Sequence, residues 1–380
     1  MTDPNAAGLQ PAWHELLDAL RAGDVAFTDG RRGTFDPRET AHGYRNLTSI
    51  FAFALGMYMH VDREEPRFAP SPKDPPGEKT LGEHPDVRYQ WAAIRGGRRY
   101  RITGRRGDEA YLSFTVHRGV RGSGFEQAFD SHVNHHDLRT DADGRFEIVV
   151  SPEPEGDNWL GTSDDANEIY ARAYHLDPGR DRPAEYRIEA LDPPPPRSLQ
   201  PEDIEARLRE MAGLVRDMTI AMPQPLDAPN TMGELWQPER EGPSRMWSAV
   251  DNVYARGVYR LEPDEVLLLE GAVVPCDYWG VQLWSPFLGS GDARHQRVTI
   301  NTAQARLGPQ GEFRVAIARR DPQVPDVDWI STAGERQGTF FIRWMCPAAM
   351  PPAPTCRLLT VEALAQLSAG RGARAARGAW

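Results

Sequence analysis

Residues 311–344 read GEFRVAIARRDPQVPDVDWISTAGERQGTFFIRW, and about half a chain earlier residues 144–174 read GRFEIVVSPEPEGDNWLGTSDDANEIYARAY. Phe146 aligns with Phe313, Ile148 with Val315, Val150 with Ile317, Trp159 with Trp329, Thr162 with Thr332 and Arg172 with Arg343. Extended backwards, the match needs no gap: Gly104 falls on Gly271, Tyr111 on Tyr278 and Asn134 on Asn301. Such a match constrains the fold more than any local motif, because each copy must form the same unit. The expectation is two copies of one domain.

Local patterning says what the domain is made of. Tyr100-Arg101-Ile102-Thr103-Gly104 and Tyr111-Leu112-Ser113-Phe114-Thr115-Val116 alternate, which fits strands with one buried face. Asp143-Gly144 turns into the run Arg145–Val150. The 33 Pro and 34 Gly suit many short strands joined by tight turns. At 380 residues, 40% of them hydrophobic, the chain can bury two cores. The fold class expected is mainly β: two tandem jelly-roll-like antiparallel β-sandwiches with N-terminal and inter-domain helices. The boundaries expected are 1–84 for a helical segment and strap, 85–192 for the first sandwich, 193–244 for a linker and helix, 245–360 for the second sandwich, and 361–380 for a short helix and disordered tail.

Helical periodicity marks Pro11–Ala22, Ala41–His60 and Pro201–Met222. The last carries an apolar stripe of Ile204, Leu208, Met211, Val215 and Met218, which must be buried and is expected to pack between or beneath the sandwiches. His60, at a helix carboxyl end, is favoured there by the dipole and serves as a cap or a substrate contact.

The strings Asp277-Tyr278-Trp279-Gly280-Val281-Gln282-Leu283, Asp321-Pro322, Thr332-Ala333-Gly334 and Arg343-Trp344, with Trp329 and the strand holding Asn301, resemble the bacterial domain of unknown function 1214. His84–Tyr89 and Tyr100–Gly104 are similar to the upstream part of such proteins. The resemblance covers most of Arg45–Arg357, with its most specific motifs in the second unit, and it implies a jelly-roll β domain without implying a reaction. The stretch His132–Asp137 departs from the family pattern.

The repeat also sorts candidate residues. Positions alike in both copies serve the shared fold; positions that differ are freer to serve function. Gly104/Gly271 and Gly144/Gly311 read as turns with unusual backbone angles. Trp159/Trp329 and Arg172/Arg343 read as a shared core feature, a guanidinium on an aromatic ring. His132, His135, His136 and Asp137 stand where the second copy has Thr299, Thr302, Ala303 and Gln304. On an extended strand His132 and His136 share a face and split from His135 and Asp137, so proton transfer fits this run better than four-ligand metal binding. In the second unit Tyr278, Trp279 and Trp284 face Tyr111, Leu112 and His117 of the first, and Trp279 and Trp284 lie on opposite strand faces, one for the core and one for a groove.

With a net charge of -11 the surface repels phosphate backbones, so no nucleic-acid partner is expected. The longest apolar run, Leu47–Met59, is too short to span a bilayer, and the N-terminal residues lack a basic region followed by an apolar core. Three widely spaced cysteines argue against a disulfide framework, and Cys276 reads as packing; a cytoplasmic protein without membrane partners is expected. No Gly-x-Ser-x-Gly elbow, phosphate loop or dinucleotide fingerprint occurs, so no cofactor is expected. The function expected is a cofactor-independent lyase or hydrolase acting on a small aromatic or lipophilic molecule in a cleft between the β domains. His132, His136, Tyr278 and Arg343 would be catalytic, with His60, Trp279, Trp284 and Trp344 binding substrate. The alternative is a carbohydrate- or lipid-binding double sandwich without catalysis. Self-association is compatible with either.

Overall fold

The computed structural model describes residues 8–28, 35–70, 82–193, 195, 198–221, 228–239, 242–244 and 247–377. They form two compact units, the first from residues 1–225 and 238–250, the second from 226–237 and 251–380. Each is described by itself.

Unit 1 is a β-sandwich with three helices. One sheet runs β1 (Ala69–Pro70), β2 (Val87–Ala93), β8 (Ala166–Tyr174), β4 (Tyr111–Gly119), β5 (Gln127–Asn134). The other runs β7 (Trp159–Gly161), β6 (Arg145–Ser151), β3 (Tyr100–Arg105), β9 (Glu185–Ala190). The period-two alternation does the work expected of it. Leu112, Phe114 and Val116 of β4, Ile169, Ala171 and Ala173 of β8, and Tyr100, Ile102, Ile148 and Val150 of the facing sheet close one core. Each Leu, Val, Ile or Phe side chain among them contributes about 1.5–3 kcal/mol by leaving water.

Unit 2 repeats the topology strand for strand: β10 (Thr231–Met232), β11 (Asn252–Arg260), β17 (Gln337–Met345), β13 (Tyr278–Trp284), β14 (Thr299–Asn301) in one sheet. The other holds β16 (Asp328–Ser331), β15 (Glu312–Ala318), β12 (Glu265–Ala272) and β18 (Thr355–Thr360). The duplication extends to registers. Gly104 pairs with Phe146 as Gly271 pairs with Phe313, and His117 pairs with Glu168 as Trp284 pairs with Thr339. Both small sheets depart from the antiparallel expectation at one edge, where β7 runs parallel to β6 and β16 parallel to β15.

Trp159 and Trp329 explain that edge. Each indole N–H donates to the end of the strand alongside, Trp159 to the Ser151 carbonyl and Trp329 to the Ala318 carbonyl, both at 3.1 Å. They are edge latches; Trp159 is 37% exposed, and Trp329 is half-buried against a small apolar cluster of unit 2. The arginines stack elsewhere, Arg172 on Tyr170 at 4.5 Å and Arg343 over Trp284 at 5.4 Å. Gly144 and Gly311 do adopt positive φ, 77° and 81°. Gly104 and Gly271 instead lie inside strands, and a Cβ there would meet the Phe146 or Phe313 ring at 2.6 or 2.7 Å, so close ring approach excludes a side chain.

Helix α1 spans Leu9–Thr28; α2 spans Pro37–Ala54 and continues as a π-turn, Leu55–Met59. A capping box starts α2: the Asp36 carboxylate accepts from Glu39 N at 2.8 Å and Glu39 accepts from Asp36 N at 2.9 Å. Helix α3, Pro201–Arg216 with a π-turn at Asp217–Ala221, belongs to unit 1. It packs on α1 and α2 and buries Leu208, Met211, Leu214, Val215 and Met218. It also docks on the β4–β5 loop, where Asp217 accepts from the Ser123 hydroxyl and Gly124 N, and Arg121 pairs with Glu210 at 3.0 Å. Helix α4, Val361–Arg377, runs through the Gly/Ala/Arg stretch expected to be disordered. No helix among the described residues is long and apolar enough to cross a membrane.

Candidate functional site

Strand β8 is buried at all nine positions, so both faces of its sheet are covered. On the face away from the core, β4 presents Tyr111, Ser113, Thr115 and His117, β8 presents Glu168, Tyr170, Arg172 and Tyr174, and β5 presents His132 and Asn134. Buried polar and charged groups need partners, and here they find one another. Residues 242–244 and 247–250 supply much of the cover, with Phe53 of α2 edge-on to Trp247 at 6.4 Å. Trp247 Nε1 donates to the Glu168 carboxylate, and the Arg172 guanidinium donates to the Trp247 carbonyl. Arg172 Nη1 reaches the Thr115 hydroxyl at 3.5 Å, and that hydroxyl is 2.9 Å from His132 Nδ1. His117 Nδ1 lies 2.9 Å from the Ser244 hydroxyl, and its Nε2 has no hydrogen-bond partner among the described residues.

Burial sets the charge states. It pushes the Glu168 carboxyl above the ordinary range, opposed by Arg121, the Trp247 N–H and Arg172. It pushes His117 well below its ordinary value, helped by Arg172 and His132, so the imidazole is neutral at neutral pH. The face thus holds a carboxyl inclined to keep its proton opposite an imidazole inclined to stay without one, on paired strands.

Unit 1 also holds a cavity of about 620 Å³. The π-turn of α2 with residues 60–65, α3, Arg95 and Arg121, and Pro193, Pro195, Ser198 and Leu199 form its walls. Tyr58 and Arg121 line it, and both also act electrostatically on Glu168 or feel its charge. Cavity and carboxyl share these two neighbours.

The residues singled out from sequence divide between the units. His132 sits on the polar face as expected. His136 does not share it: β5 ends at Asn134, and His135–Asp137 form a turn in which Asn134 Oδ1 accepts from His136 N at 2.9 Å. Asn301 makes the same turn with Ala303 N at 3.0 Å, so the histidine run is strand end plus turn, with His136 exposed. His60 lines the cavity, where its N–H donates to the Leu55 carbonyl at 3.1 Å. Trp279 and Trp344 are fully buried in the unit 2 core, Trp279 against Phe313 at 4.8 Å, which corrects the expectation that they contact substrate. Tyr278, Trp284 and Arg343 share the opposite face of that sheet, where Trp284 is buried at 4% exposed. Cys276 is packing, its thiol pushed up to about 12 by burial and by Asp277.

Sequence reasoning passed over Glu168, His117 as a titrating group, and Trp247. The signal was present in the repeat: Glu168 and His117 fall on Thr339 and Trp284.

Residues 89–178 match the model of a family described as protein of unknown function, DUF1214. The resemblance read from the sequence holds for that segment, which lies in unit 1 and not in the unit expected to carry the most specific motifs. No curated protein matches the chain. Among solved structures, an uncharacterized protein from Burkholderia cenocepacia is 28% identical, with 93% of this chain and 98% of that one covered and a TM-score of 0.82. The VPA0106 protein from Vibrio parahaemolyticus is 10% identical over 83% of this chain and 98% of that one, with a TM-score of 0.45.

Proposed function

We propose that the protein is a cofactor-independent enzyme of lyase or hydrolase type, working by acid–base chemistry on a small molecule admitted to the unit 1 cavity. The observation that carries this reading is the buried Glu168 carboxyl, raised toward its protonated form and sharing Tyr58 and Arg121 with the cavity wall. A carboxyl tuned in this direction is suited to donate a proton near neutral pH. His117, held neutral, lies opposite Glu168 in the ladder and resists taking up a proton, and His132 extends the polar chain through Thr115. Unit 2, with the same fold, has Thr339, Trp284 and Thr299 at the matching ladder positions, so the sandwich itself does not require these groups.

The test is turnover by the purified protein against a panel of small esters and hydroxy acids, followed by proton release or uptake. Glu168→Gln should abolish turnover while circular dichroism stays unchanged, and wild-type activity should fall as pH rises through the carboxyl's raised pKa. Wild-type turnover in Glu168→Gln removes the carboxyl from the reaction. A second reading, binding without chemistry, is favoured by one feature of unit 2: Trp236, 38% exposed, lies stacked on Tyr254 at 4.5 Å and 17°. Such a flat ring suits a sugar face. Binding that Trp236→Ala removes, with no product from any panel member, selects that reading.

A further inference from the structure

Four guanidiniums line the cavity wall, those of Arg63, Arg95, Arg121 and Arg207, and two carboxylates pair with two of them. Arg95 pairs with Glu64, and Arg121, its side chain only 9% exposed, pairs with Glu210. Arg63 is outside these pairs. Its Nε donates to the Ile94 carbonyl at 2.8 Å, which fixes the plane of the guanidinium, and no carboxylate among the described residues pairs with it. Burial, with Arg121 and Arg95 nearby, lowers its proton affinity to about 10, the mark of a cation held without enough counter-charge. The other acids on the wall are otherwise engaged or at the rim. Asp203 accepts from Gln200 N and Asp62 from Glu64 N, while Glu65 and Glu202 are exposed.

We infer that Arg63 is the anchor of an oxyanion subsite in this cavity, and that the molecule it takes is a small organic acid. A fixed, planar guanidinium with unused N–H groups matches the two oxygens of a carboxylate or phosphate in a fork geometry that a lysine cannot reproduce. Tyr58, Met59, Leu199, Pro193 and Pro195 on the same walls offer apolar surface for the body of the acid. This deepens the enzymatic reading by naming a substrate class, and it rests on that reading only for what happens after binding.

The experiment is calorimetric titration of the full chain with benzoate and, separately, with inorganic phosphate. Benzoate should bind wild type. Arg63→Gln should weaken it at least tenfold, Arg63→Lys should weaken it less, and Arg67→Gln, an exposed arginine outside the lining, should leave it unchanged. Phosphate binding lost in Arg63→Gln, with no benzoate binding, keeps the oxyanion site and overturns the organic-acid assignment. No binding of either probe, or binding indifferent to Arg63→Gln, overturns the site. Should that variant fail to fold, modification of wild type by phenylglyoxal with peptide mapping decides instead: benzoate protects Arg63 if the inference holds and does not if it fails. Binding without turnover keeps this site and removes the catalytic proposal; turnover untouched by Arg63→Gln does the reverse.

Discussion

His117 predicts a specific acid sensitivity of unit 1. The imidazole is fully buried, and burial, Arg172 and His132 all hold it neutral. The unfolded chain has no such constraint, and there the group titrates at its ordinary 6.5. Below that pH the unfolded state binds a proton the native state refuses, so stability falls as pH falls. Going from about pH 7.5 to about pH 5.5, the unfolded state gains RT ln(11/1.1), about 1.4 kcal/mol from this one residue. Glu168 acts with the opposite sign, since its raised carboxyl keeps a proton in the fold that the unfolded chain gives up. The comparison must therefore be made against His117→Gln, in which Glu168 remains. Urea unfolding of both proteins, followed by hydrogen exchange of the β4 amides, reads the difference. The wild type should lose about 1.4 kcal/mol more than the variant across that interval. Identical losses would mean that the imidazole titrates in the fold as it does in the unfolded chain, and the electrostatic account of the polar face would fail.

Gly122 has φ 82°, and a Cβ there would sit 2.3 Å from the Glu210 carbonyl oxygen, on the backbone of α3. Gly122→Ala should cost about 2–5 kcal/mol from backbone strain and overpacking together, seen as a lowered urea midpoint; a change below about 0.5 kcal/mol would mean that α3 does not dock on this loop. Cys276, with its thiol raised to about 12, should resist iodoacetamide at pH 8 in the native protein and react once denatured, as peptide mapping would record.

The architecture was legible because a duplicated sandwich writes its strand period twice, and the Phe146/Phe313 and Asn134/Asn301 matches recur as shared pairings and turns. What the period could not reveal was which outer faces are covered. A strand such as β8, buried on both sides, hides its polar members among its apolar ones, so nothing in its period sets Glu168 apart. The histidine run read as extended because strand propensity does not register an asparagine side chain capturing the backbone two residues on, which is what ends β5. The C-terminal stretch read as coil from its glycines, although Ala and Arg are strong helix formers and the helix continues through them.

The two units together supply a control for the cost of the polar face. At one ladder position unit 2 places Trp284 opposite Thr339, where unit 1 places His117 opposite Glu168. The first pair carries no ionisable group, while the second includes a carboxyl whose charged form is costly to bury. Unit 1 offsets that cost only by adding the Trp247 N–H, Arg121 and Arg172 around the carboxyl, and Arg172 in turn draws in Thr115 and the Trp247 carbonyl. Replacing a buried ionic cluster with well-packed uncharged groups is often neutral or stabilising, so folding alone gives little reason to keep it. At that ladder position the same chain contains an uncharged pair on the same scaffold. A requirement of the fold would apply to both copies; this one applies only to the copy whose carboxyl shares Tyr58 and Arg121 with a cavity wall, and the cavity is where the reason for keeping it should be sought.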